Sequence, residues 1–177
     1  MIKIEDINLL EQGYKLVFDL RSSSSILMDE NYIKNIQQTT LDKGTTMGLK
    51  GDNGLYATAE WWENIKNGNI ETYCVKGVIV GINEENPFIE GSTMIAIKVN
   101  GTNKEIFQDI VFTSEREKII SEELYKAGNE IVSIYILDKS KEEDTWNWVV
   151  EEKLGVSPLL NRVYIKGGVK IFYINGL

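Results

Sequence analysis

The chain has 177 residues, 42% hydrophobic and 26% charged, and its 27 acidic and 19 basic residues leave a net charge of −8. That is the composition of a folded globular protein, not of a disordered one. Histidine is absent and Cys74 is the lone cysteine, which excludes Ser-His-Asp and Cys-His catalysis, His-ligated zinc and an internal disulfide.

The length fits one domain over residues 1–177, with a core that needs neither metal nor disulfide for stability. No apolar run reaches the ~18–20 residues of a membrane span. The N-terminal stretch MIKIEDINLLEQ interleaves acids with its apolar residues and reads as part of the fold, not as a signal peptide. The cytoplasm is the default location.

In chain order, residues 2–10 alternate loosely and Glu11-Gln12-Gly13 marks a turn. Tyr14, Leu16, Phe18 and Leu20 then alternate with Lys15, Val17, Asp19 and Arg21 as a half-buried strand, which predicts an N-terminal hairpin. Ser22–Ser25 form a serine turn before a short helix over 29–38, with Tyr32, Ile33 and Ile36 on one face. The glycine-rich stretch 39–54 lacks the Gly-Lys-Ser/Thr of a phosphate loop, because Lys50 is followed by Gly51. Asp52-Asn53-Gly54 lacks calcium-loop spacing and reads as a turn.

Thr58 caps a helix over AEWWENIKN that ends at Gly68. Trp61 and Ile65 share a helical face, and Trp62 lies about 100° round from Trp61; one Trp reads as core, the other covers the adjacent strand or faces a partner, with Trp62 the candidate anchor. Thr72–Ile82 is a strand in which Gly77 and Gly81 mark a bulge or tight bend. Thr93–Val99 and Lys104–Phe112 pair across Asn100-Gly101 as a hairpin. Ser114 with Glu117 makes a capping box for a helix over 115–127, its stripe formed by Ile120, Leu124 and Ala127. Glu130–Leu137 is a further strand.

Residues 138–154 fit two patterns. Ser140 and Glu143 can cap a helix, whereas Trp146, Trp148 and Val150 alternate as a strand after a turn over 138–144; their β-favouring side chains tip the choice to strand. Pro158 ends that element, and Arg162–Lys166 with Val169–Ile174 form a closing hairpin at Gly167-Gly168. The class is α+β: a mostly antiparallel sheet or small barrel with two or three short helices. Residues 70–137 resemble an OB-type barrel, with N- and C-terminal hairpins added; this is a likeness of fold alone. The resemblance implies single-stranded nucleic-acid binding, which the acidity of the same segment opposes.

The charge is unevenly placed. Residues 84–152 hold 16 acids against 7 basic residues, a net of −9, and the remainder holds 11 against 12, a net of +1. Such a field opposes nucleic acid and favours a basic protein partner. Glu122 and Glu123 read as a solvated helix face, with Glu122 placed to pair with Lys126. No pattern calls for a cofactor or a metal, and no catalytic residue emerges.

The expectation is a non-catalytic acidic binding protein, most concretely an inhibitor or immunity-type protein covering the cationic surface of a toxin such as a nuclease. Its partner-binding candidates are Glu84, Glu85, Glu142, Glu143 and Asp144, with Trp62 and Trp148 as aromatic anchors. Two other readings are a structural or accessory module of a mobile element and an acid/base enzyme using paired carboxylates.

Overall fold

A computed structural model describes residues 8–23, 29–83, 93–142 and 156–167. Six strands, β1 (Lys15–Asp19), β2 (Glu71–Asn83), β3 (Met94–Val99), β4 (Glu105–Asp109), β5 (Glu130–Lys139) and β6 (Val156–Lys166), form one sheet. Their order is β1-β6-β5-β2-β3-β4, and every pairing is antiparallel. Three helices accompany it: α1 (Glu30–Leu41), α2 (Ala59–Lys66) and α3 (Glu115–Ser121), the last continuing as a 3-10 turn over Glu122–Leu124. This is the α+β class expected.

The sheet is strongly coiled. Register shifts at Leu16/Phe18, Ile79/Gly81 and Ile134/Tyr135 bend three of its ladders. Gly77 permits the close approach of β3, since a Cβ there would run into the Lys98 carbonyl oxygen. Strands β5 and β4 are three places apart, so on a flat sheet their backbones would stand ~14 Å from each other. Yet the Tyr135 hydroxyl on β5 donates to Gln108 Oε1 on β4 at 2.8 Å. Beyond β4, Thr113 N–H donates to the Val17 carbonyl of β1 at 3.2 Å, and Asp19 N–H donates to Thr113 Oγ1 at 2.9 Å. The two ends of the sheet thus approach each other around a core that includes Val75, Ile79, Ile97, Ile106, Ile131 and Val163.

The opposite face of β5, which carries Ile136 and Asp138, is covered near its end by α2. Trp61 is fully buried and its indole Nε1–H donates to Asp138 Oδ2 at 2.8 Å. The glycine-rich stretch joins this layer to the sheet. Leu49 bridges to Ser140, Lys50 N–H donates to the Lys139 carbonyl at 2.9 Å, and Lys141 N–H donates to the Gly48 carbonyl at 2.9 Å. The Lys141 ammonium donates to the Thr39 and Asp42 carbonyls at the end of α1, at 2.5 and 2.6 Å. Its glycines therefore serve packing; a Cβ on Gly48 would stand 2.9 Å from Thr39 Cγ2.

Several expectations need correction. The helix placed over 115–127 stops at Ser121 and tightens into the 3-10 turn. Its stripe is not the buried face: Ile120 and Ala127 are exposed and Leu124 is half-buried, while Ser121 and Tyr125 are buried. Tyr32 of α1 faces solvent, although Ile33 and Ile36 pack on the core. Strand β5 runs through Asp138 to Lys139, where a turn was expected. Pro158 lies inside β6, opposite Leu137. It is tolerated because β1 pairs only with Arg162–Ile165, leaving the proline's other side free of a ladder that needs its missing N–H. Arg162–Ile165 are flanked by β1 and β5 on their two sides, and the proposed second arm, 169–174, lies outside the described residues. The same holds for most of the N-terminal hairpin's first arm and for the strand-or-helix choice over 143–154.

Candidate functional site

Of the seven residues singled out as a partner surface, the described structure places two. Glu142 is exposed directly after Lys141, whose backbone and ammonium are both held. Trp62 is half-buried: its ring meets Trp61 edge-on at 4.8 Å, and the Arg21 guanidinium lies 5.6 Å from its centroid. Glu84, Glu85, Glu143, Asp144 and Trp148 lie outside the described residues.

Helix α2 beneath Trp62 is built as its sequence suggests. Thr58 Oγ1 accepts from Trp61 N–H at 3.3 Å, and Glu60 sits in the first turn near the positive end of the helix. Burial pushes the carboxyl of Asp138, below this helix, above its ordinary value; the Trp61 and Lys139 N–H donors only partly offset that. Both oxygens are occupied, Oδ2 by Trp61 and Oδ1 by Lys139 N–H at 2.8 Å. Asp138 thus serves the fold, each of its oxygens accepting from a neighbouring N–H. The Cys74 thiol is half-buried, and burial raises it, opposing the thiolate that a nucleophile requires. Among the described residues no group of three or more Cys, Asp or Glu side chains could hold a metal ion. Among them, too, no helix is long and apolar enough to cross a membrane.

The acidic middle of the chain has a second prominent surface, at α3. Ser114 Oγ accepts from Glu117 N–H at 3.3 Å, with Glu115 and Glu117 in the first turn. Thr113 ties the start of the helix to β1, as described above. Its far end is tied as firmly. The buried Tyr125 donates its hydroxyl to the Val111 carbonyl at 2.8 Å and meets Phe112 edge-on at 5.4 Å. Asn129 Nδ2 donates to the Leu124 carbonyl at 2.7 Å. Between these attachments Ile119 is 80% exposed and Ile120 is 55% exposed. Lys126 pairs with Glu123 at 3.3 Å, where a pair with Glu122 was expected. Sequence periodicity missed this surface because it assigned Ile120 to the core; the available signal was Ile119, an isoleucine off that stripe.

The family model of the immunity protein RhsI2 matches residues 14–157 of the chain. The chain belongs to that family. No curated protein matches it significantly. The match spans all three helices and five of the six strands in full, so it covers both surfaces just described. A member of the RhsI2 immunity family is a non-catalytic protein that acts by binding a toxin. Its functional site is therefore an interface, not an active centre.

Proposed function

We propose that this immunity protein neutralises a toxin whose active surface is cationic, such as a nuclease, by covering that surface with its acidic segment 84–152. The supporting observation is the charge asymmetry, −9 over that segment against +1 over the rest. Carboxylates at Glu84, Glu85, Glu142, Glu143 and Asp144 steer the toxin into contact and set its orientation. Trp148 and the half-buried Trp62 slow its departure by filling desolvated contacts. The same negative field disfavours nucleic acid as a direct ligand. The complex forms in the cytoplasm, where a cell would meet its own toxin before export.

Stopped-flow association with the purified cognate toxin tests the reading. From ~10 mM to ~1 M salt the Debye length contracts from ~30 Å to ~3 Å. The association rate is expected to fall steeply over that range. A rate indifferent to salt sinks the electrostatic mechanism.

A further inference from the structure

We propose that the outward face of α3 and its 3-10 extension, centred on Ile119 and Ile120, is the apolar anchor by which the protein grips its toxin. The proposal rests on the reading above and locates its contact. Isoleucine is among the residues most often buried, and a helix flanking a sheet ordinarily turns such residues inward. Here the helix buries Ser121 at 2% exposure and leaves Ile119 and Ile120 in solvent. Local rules broken without compensation inside the fold are expected at functional surfaces.

Fraying does not account for the exposure. The helix is bonded at its start through Thr113 and Ser114 and at its end through Tyr125 and Asn129, so the isoleucines are presented on a fixed support. A pre-organised apolar pair loses little conformational entropy when covered.

The surrounding charge selects the occupant. Residues three and four positions away share a helical face. Around Ile119 those positions are Glu115, Arg116, Glu122 and Glu123; Glu123 also borders Ile120 and is paired with Lys126 at 3.3 Å, so the rim holds three acids and two bases. An apolar centre with a net acidic rim has the layout of an interface core and fits a partner with a basic rim. A second copy of this chain fits poorly, because facing copies would bring Glu115, Glu122 and Glu123 against carboxylates of the same patch. Phe107, the exposed aromatic on edge strand β4, lies between Glu105 and Asp109 but stands opposite Ala96, and its strand neighbours Ile106 and Gln108 are buried, so β4 offers a single apolar side chain and not a pair.

The test measures binding of the toxin whose growth arrest is relieved by co-expression of this protein. Ile119→Ala with Ile120→Ala should raise the dissociation rate by about tenfold or more and change association by less than about twofold. Glu122→Gln with Glu123→Gln should slow association at low salt by about threefold or more. Phe107→Ala should alter neither rate, and unchanged circular dichroism would establish that each variant is folded. If the isoleucine pair and Ile119→Glu bind like wild type while association keeps its salt dependence, this surface is wrong and the acidic-cover reading survives. Salt-indifferent association by the wild type overturns both. The proposal is also overturned if light scattering shows the isoleucine variants losing self-association with toxin binding intact.

Discussion

Helices α2 and α3 begin alike and end differently. Each is short, each is capped by a hydroxyl, from Thr58 or Ser114, and each carries acids in its first turn. Yet α2 drives Trp61 wholly into the protein, whereas α3 holds Ile119 out at 80% exposure. Capping and first-turn charge decide where a helix starts. They carry no information about which face is covered, because that depends on what lies opposite. Opposite α2 is the Asp138 face of β5, which supplies an acceptor for an indole N–H. The segments tying α3 to β1 and to the chain after β4 orient Ser121 and Tyr125 inward instead. Helix α2 commits Trp61 to the fold, whereas α3 leaves Ile119 and Ile120 uncovered.

The largest effect should come from truncating the buried member of this contrast. Trp61→Ala removes a fully buried indole and leaves Asp138 without its side-chain donor, so a loss of about 3–5 kcal/mol in urea unfolding is expected. Ile119→Ala should fall within about 0.5 kcal/mol of wild type. Equal losses at the two sites would erase the distinction. Caps come next: Thr58→Ala and Ser114→Ala should each cost about 1 kcal/mol in the same assay, with the Thr58 loss the larger because its hydroxyl also donates to the Leu55 carbonyl at 2.7 Å. A larger loss at Ser114 would reverse that order.

The subtlest effect is in pH. Burial raises the Asp138 carboxyl above its ordinary value of 3.8, so the folded state holds this proton more tightly than the unfolded chain does. Its contribution to stability is complete below the ordinary value and is lost as pH rises through the raised one. Asp138→Asn cannot ionise and still offers an acceptor to Trp61. Its stability relative to wild type should therefore increase as pH rises through that window. A difference between the two that stays constant with pH would mean the carboxyl titrates alike in both states.

Much of the fold was legible because its signals are local. The Thr58 and Ser114 caps, one core Trp on α2, the irregularity near Gly77 and Gly81 and the Asn100-Gly101 turn each depend on residues within one turn or strand. What escaped was long-range. The placing of β6 between β1 and β5 joins Asp19 to Arg162, and no neighbouring residue encodes that pairing. Asp138 resembled the start of a turn because its partner, Trp61, lies 77 positions earlier. Composition shows that the middle of the chain is acidic, and the family match bears out the immunity-type function. The outward isoleucines could not be read, since a 3.6-residue stripe shows that a face is apolar without showing whether anything covers it.

The attachments of Lys141 bear on the timing of entropy loss. Its N–H and ammonium fasten the end of the sheet to Gly48, Thr39 and Asp42, and Glu142 is the next residue. The acidic stretch therefore departs from a fixed point, and ordering of its first residue is completed during folding, before any toxin arrives. In the proposed interface, Lys141→Ala would move part of that ordering to the encounter and weaken the complex, even though loss of an ammonium makes the segment more negative.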